Sequence, residues 1–145
     1  RLPALKELGE EAQKGGAVYI GGFENGQQQG WGQMRWPSGN CYTGEFAAGQ
    51  QTGQGTMCWS DGTIYTGGFL NGAYHGTGLL CYTDGTVYSG GFENNRFHGQ
   101  GTYVWPDGSI YTGGYANGDY QGYGMFRDVN GNVMEGQWEQ GSFVN

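Results

Sequence analysis

The chain has 145 residues, of which 33 are Gly and 23 are aromatic, while charged residues make up only 13%. This much Gly excludes a helical bundle, since each interior Gly weakens a helix by up to ~1 kcal/mol; Leu, Ile and Val total only 15, too few for a branched-aliphatic core. The formal net charge is −7, and residues 19–145 carry all of it with Arg35, Arg96 and Arg127 as their only Lys or Arg side chains, which disfavours nucleic acid, a partner held by neutralising its phosphates.

Disorder does not fit a chain so rich in aromatic rings, and collagen would need Gly at every third position and many more than three prolines. What remains is a β structure that uses aromatic side chains for burial and Gly for geometry. Along the chain, residues 1–18 read differently from the rest. Pro3 in a first helical turn, followed by Ala4, Leu5, Leu8 and Ala12 at helical spacing, predicts a short amphipathic helix ended by Gly15-Gly16. Its expected role is to cap the exposed edge of the first hairpin.

From residue 19 onward the chain repeats. Tyr19, Tyr42, Tyr65, Tyr88 and Tyr111 are each 23 residues apart, with Met134 in the next slot. Gly21, Gly44, Gly67, Gly90, Gly113 and Gly136 follow two residues later, and Phe23, Phe46, Phe69, Phe92, Tyr115 and Trp138 two after that. Two further Gly series, from Gly30 to Gly122 and from Gly32 to Gly124, keep the same period without insertion. Repeats therefore start at 19, 42, 65, 88 and 111, with a partial one at 134.

Each repeat reads as a β-hairpin. Segments such as Ser60-Asp61-Gly62 and Pro106-Asp107-Gly108 suit a type I turn closed by Gly in the left-handed region. The other connection carries Asn25-Gly26, Asn71-Gly72, Asn94-Asn95 and Asn117-Gly118, and Asn is the side chain best suited to replace Gly there. Alternation puts Tyr65, Gly67 and Phe69 on one face with Gly76, Gly78, Leu80 and Tyr82. In the register set by the three-residue turns, each Phe lies opposite a strand Gly, and each Tyr opposite Met34, Met57, Leu80, Tyr103 or Phe126. The ring then covers bare backbone. The expected fold is all-β: a single-layer, twisted antiparallel sheet of eleven strands, about 50 Å long at ~4.8 Å per strand. Met134–Trp138 would end it as a strand with no hairpin partner, leaving an open edge. Gly22, Gly68, Gly91 and Gly114 fall on the opposite face, where alternation gives them no role.

The combined pattern Y-x-G-x-[FYW]-x-x-G-x-x-x-G-x-G resembles the MORN (membrane occupation and recognition nexus) repeat family over residues 19–145. Departures are Asn95 for a loop Gly, Met134 for the last Tyr, and Asp128 where other repeats have Trp36, Trp59, Tyr82 and Trp105. The resemblance implies a non-enzymatic scaffold or adaptor in a cytoskeletal, ciliary or membrane-associated assembly, some relatives of which dimerise end to end; here the open C-terminal edge would be the pairing surface. It also brings two competing roles, a phospholipid-recognition module and an accessory domain of a larger enzyme. Attraction to anionic lipid needs clustered Lys and Arg, and three arginines in the whole array disfavour direct lipid binding.

No side-chain arrangement in the sequence points to catalysis, a cofactor or a metal. His75 and His98 occupy one slot in adjacent repeats, about 10 Å apart, too far to share a zinc ion at ~2.0–2.1 Å per ligand. Asp61, Asp84 and Asp107 are explained by turn chemistry. Cys41, Cys58 and Cys81 lack C-x-x-C spacing and are expected as free thiols in a reducing, cytoplasmic compartment, although the register sets Cys41 opposite Cys58. Two sets of residues are candidates for holding a protein partner, a helix or an extended peptide. Trp36, Trp59, Tyr82 and Trp105 line the aromatic face. Tyr74, Phe97, Tyr120 and Phe143 occupy one slot, expected in the longer loops, where the first two repeats have Gln28 and Gln51; they either anchor a partner or fold down to complete the core.

Overall fold

A computed structural model describes residues 16–145; the helix expected around Pro3–Ala12 lies outside the described residues. Twelve strands form one open antiparallel sheet whose spatial order is the chain order. They are β1 (Val18–Glu24), β2 (Gln27–Arg35), β3 (Cys41–Ala47), β4 (Gln50–Cys58), β5 (Ile64–Leu70), β6 (Ala73–Cys81), β7 (Val87–Glu93), β8 (Arg96–Val104), β9 (Ile110–Ala116), β10 (Asp119–Arg127), β11 (Val133–Glu139) and β12 (Ser142–Phe143). There is no helix among the described residues.

The two connections take the conformations their residues demand. Between β4 and β5, Gly62 N–H donates to the Trp59 carbonyl at 2.9 Å and Trp59 N–H to the Thr63 carbonyl at 2.8 Å, with Gly62 at φ +100°. The Asp61 carboxylate accepts the Thr63 N–H at 2.9 Å, so Asp is there for the turn. Between β5 and β6, Asn71 and Gly72 have φ +49° and +86°, the consecutive positive values of a type I′ turn that matches strand twist.

The hairpins are asymmetric. A seven-residue strand such as β5 faces a nine-residue strand such as β6 across a two-residue turn, so the surplus must leave the ladder. It does so between the pairs Gly67↔Gly78 and Phe69↔Tyr74, where the register shifts. In this bulge Gly76 adopts φ +83° with open space around its missing Cβ, whereas a Cβ on Gly68 would collide with the His75 carbonyl oxygen. That close approach accounts for Gly22, Gly68, Gly91 and Gly114, which alternation left without a role. It also corrects the reason for the series Gly30 to Gly122: the pairings of Phe46 with Gly30 and Phe69 with Gly53 are as expected, but positive φ requires these glycines, not room for a ring.

Room for a ring is the reason for the other series. A Cβ at Gly78 would overlap the Tyr65 ring and hydroxyl, and Gly32, Gly55, Gly101 and Gly124 stand in the same relation to the Tyr of their own repeat. The Tyr65 hydroxyl reaches across to donate to the Gly68 carbonyl at 2.8 Å. Tyr19, Tyr42, Tyr88 and Tyr111 make the same bond within 2.8–3.0 Å.

The core is the aromatic face. Each Tyr meets the Phe of its own repeat and the aromatic residue of the next in edge contact, as in Tyr65–Phe69 at 5.2 Å and Tyr65–Phe92 at 5.1 Å. The contacts continue as a zigzag from Phe23 through to Trp138, the geometry that ring quadrupoles favour. Leu80 is the only Leu, Ile or Val among the buried core residues. Burial pushes the hydroxyls of Tyr42, Tyr65 and Tyr88 well above the usual tyrosine range, so the bulge carbonyls keep a neutral donor.

The C-terminal end differs from expectation. β11 has a partner: Trp138 pairs with Phe143 and Glu139 with Ser142, and Val144 N–H donates to the Gln137 carbonyl at 2.8 Å. The chain folds back once more and covers the second half of the strand that was expected to stand open.

Candidate protein-binding face

The repeat fixes where side chains can leave the core. Residues one position beyond β2, β4, β6 and β8 belong to the aromatic face at its three-residue-turn end: Trp36, Trp59, Tyr82 and Trp105. Trp36 and Tyr82 are buried, while Trp59 and Trp105 are half-buried. Trp59 Nε1 donates to the Tyr74 hydroxyl at 2.8 Å, which ties that row to the second candidate set.

Tyr74, Phe97, Tyr120 and Phe143 lie in β6, β8, β10 and β12, on the strands themselves and not on loops. Each lies down on the sheet. Tyr74 stacks on Tyr65 with centroids 3.8 Å apart, Phe97 on Tyr88 at 4.0 Å, and Tyr120 on Tyr111 at 4.2 Å. Phe143 meets Trp138 edge-on at 5.1 Å. Tyr74 has no exposed surface, whereas Phe97, Tyr120 and Phe143 are half-buried.

Two aromatic residues outside both sets join them. The slot filled by Met34, Met57 and Leu80 in the first three repeats holds Tyr103 and Phe126 in the last two, and these are half-buried where the first three are buried. Trp105 packs against Tyr103 at 4.6 Å and against Phe126 at 5.6 Å, and Phe97 lies 5.9 Å from Tyr103. Phe97, Tyr103, Trp105, Tyr120 and Phe126 thus form an aromatic floor over β8–β10. Tyr103 and Phe126 were legible as the switch from aliphatic to aromatic in that slot.

The electrostatics of the floor are those of neutral rings beside ionised turns. The Tyr120 hydroxyl is pushed up to about 12, by burial first and then by its neighbours Tyr103 and Tyr111. Asp128, in the slot where other repeats have Trp or Tyr, turns its carboxylate to its own turn and accepts the N–H groups of Asn130 and Asn132, each at 2.9 Å. These hydrogen bonds, with one from the Asn132 side chain at 3.0 Å, hold its carboxyl below the usual range. The floor offers apolar area, ring faces and phenolic hydroxyls, with negative charge at its rim.

The remaining candidates stand apart from it. His98 Nε2 lies 3.2 Å from Glu93 Oε1 on the surface, and among the described residues no group of three His, Cys, Asp or Glu is placed to hold a metal ion. Cys41 and Cys58 are paired across β3 and β4 as the register required, and all three cysteines are free thiols.

The model of the MORN repeat family matches residues 19–41, 42–64, 65–87, 88–110 and 111–133. No curated protein sequence matches the chain. Among solved structures it is similar to the TCP10 domain of Danio rerio CPAP in complex with a peptide of Danio rerio STIL, at 16% identity and a TM-score of 0.36, over 87% of this chain and 71% of that one. It is also similar to the SAS-4 (dCPAP) TCP domain of Drosophila melanogaster in complex with a proline-rich motif of Ana2 (dSTIL), at 15% identity and a TM-score of 0.30, over 82% of this chain and 76% of that one.

Proposed function

Since the chain belongs to the MORN repeat family, we propose that it is a non-enzymatic scaffold that holds a helix or extended peptide of a protein partner on its aromatic face. The observation that carries this reading is the floor of Phe97, Tyr103, Trp105 and Phe126, four half-exposed rings in successive contact, joined through Tyr115 by half-exposed Tyr120, on a face that Tyr42, Tyr65 and Tyr88 otherwise close. Aromatic side chains concentrate binding energy when a partner completes their burial, and rings already packed on a sheet have little rotamer freedom left to lose. Trp59 and Phe143 would border the contact. Trp36, Tyr74 and Tyr82, buried as they are, would support it from beneath. The family's occurrence in cytoskeletal and ciliary assemblies directs the search for the partner there.

The test is affinity capture with the whole chain compared with Tyr103→Ala/Trp105→Ala, and with Thr66→Ser on the opposite face as a control. A partner retained by the wild type and the control but lost with the double variant supports the reading, provided the variant keeps its sheet spectrum. A partner retained equally by all three refutes it.

A further inference from the structure

The face opposite the aromatic one has its own order. Following the register from strand to strand, one row runs Val18, Arg35, Cys41, Cys58, Ile64, Cys81, Val87, Val104, Ile110, Arg127 and Val133, each the direct partner of the next. From Cys41 to Ile110, seven consecutive positions are apolar, and Arg35 and Arg127 stand at the two ends. All seven have solvent-accessible surface, with Ile64 42% exposed. The whole row holds six of the fifteen Leu, Ile and Val side chains in the chain, while Leu80 is the only one among the described residues that lies in the buried core. β-propensity alone does not explain this, because the adjacent row satisfies six of the same seven strands with Thr43, Thr56, Thr66, Ser89, Thr102 and Thr112, and only β6 has an apolar residue there, Leu79.

Charge says what would cover the stripe. Asp61, Asp84 and Asp107 each lie three residues before a stripe position, in turns that all project from the same side of the sheet. They recur at every second strand, about 10 Å apart, which is the rise of about seven helical residues. Seven strands span about 29 Å, the length of a helix of about 20 residues. A second copy laid face to face would bring Arg onto Arg at the ends of the stripe and add one −7 chain to another, so self-association is disfavoured.

We propose that this stripe docks a basic amphipathic helix of a protein partner, lying across β3–β9 with Lys or Arg at every seventh position beside Asp61, Asp84 and Asp107. This surface is independent of the aromatic floor. Arg35 or Arg127 would face the carbonyl end of the helix, where its dipole is negative.

The experiment uses the whole chain and a labelled 20-residue helical peptide, with Leu along one face and Lys at every seventh position beside it, titrated by fluorescence anisotropy. Ile64→Thr/Val87→Thr/Val104→Thr keeps β-branching and removes apolar methyls; it should weaken binding by at least about tenfold. Asp61→Asn/Asp84→Asn/Asp107→Asn uses the residue that the fifth repeat already has as Asn130 and should weaken it comparably at low salt. Trp105→Ala should leave affinity within about twofold. A peptide with Glu for every Lys should not bind. Equal affinity of the Glu peptide, unchanged affinity of the Thr variant, or loss of binding in Trp105→Ala alone would overturn the proposal. So would sedimentation showing a dimer that the Thr variant dissociates, since the occupant would then be a second copy.

Discussion

The hydroxyl of Tyr65 donates to the carbonyl oxygen of Gly68, three residues along the same strand, at 2.8 Å. The carbonyl sits in the register gap between β5 and β6, so the bond satisfies a group that the bulge removes from the ladder. Tyr65→Phe keeps the ring and removes the donor inside a buried site. It should cost about 1–3 kcal/mol, the penalty for a buried polar group left unsatisfied. Tyr19→Phe removes the equivalent bond where it is exposed, and water can replace it. Urea midpoints at constant slope would measure both; equal losses would contradict this account.

Gly76 and Gly78 are two positions apart and fail for different reasons when substituted. At Gly76 a side chain has space but the backbone is at φ +83°, so Gly76→Ala should cost about 1–2 kcal/mol and Gly76→Asn distinctly less. At Gly78 a Cβ meets the Tyr65 ring, and Gly78→Ala should cost about 1–3 kcal/mol by overpacking, with Gly78→Asn worse. Thermal melts of the four variants test this: Asn rescuing both sites or neither would refute the distinction.

The same contrast shows what the sequence could convey. Period and turn length together set the register, because a three-residue turn leaves one pairing that puts Phe46 opposite Gly30 and Tyr42 opposite Met34. The bulge was not legible by alternation, which treats every strand residue as regular. Its signal was arithmetical: seven- and nine-residue strands joined by two residues cannot pair throughout. Burial was harder still. Phe97 and Tyr120 occupy the slot of Tyr74, yet only Tyr74 is fully covered: Trp59 donates to its hydroxyl, Phe97 has no hydroxyl, and Trp105, at the same spacing from Tyr120, packs on Tyr103 and Phe126. The last strand was signalled by Phe143 in the slot of Tyr74, Phe97 and Tyr120 and by Gly141 in that of Gly118, but a reading by whole hairpins passes over a return strand of only two residues, Ser142 and Phe143.

Ala48 and Gln140 occupy the first turn position, at φ +51° and +50°, where other repeats have Asn. Their N–H groups are held by Gln29 and Gln121 of the preceding hairpin, each at 3.0 Å through Oε1. Ala48→Asn should therefore stabilise the chain by roughly 0.5–1 kcal/mol, relieving part of the ~1–2 kcal/mol left-handed penalty. Gln29→Ala should destabilise it by about 0.5–1.5 kcal/mol. Calorimetry on both single variants decides the matter; a lower melting temperature for Ala48→Asn would count against the strain argument.

Tyrosine burial gives the fold an alkaline limit. Tyr120 has an ordinary value of 10.0 raised to about 12 in the folded chain, so the folded state retains its proton longer than the unfolded one. The resulting stabilisation is complete below pH 10 and is lost as pH rises from 10 through 12. Tyr42, Tyr65, Tyr88 and Tyr115 shift in the same direction for the same first cause, burial. Near-ultraviolet absorbance should show exposed Tyr123 ionising separately from a cooperative step in which the buried hydroxyls ionise as the sheet is lost. Gradual, independent ionisation of all eleven tyrosines would contradict it.

The identity of spatial order and chain order has a mechanical consequence. The two ends of the described chain lie at opposite edges of the sheet, so tension between them acts across the strands, along the direction of the hydrogen bonds. Such a load opens one ladder at a time, like a zip, where strands pulled along their length would resist as a block. Each released repeat frees 23 residues, about 75–80 Å of extended chain. Under tension the array would lengthen in even steps at low force, with the repeats still packed retaining their ring contacts until their own ladder parts.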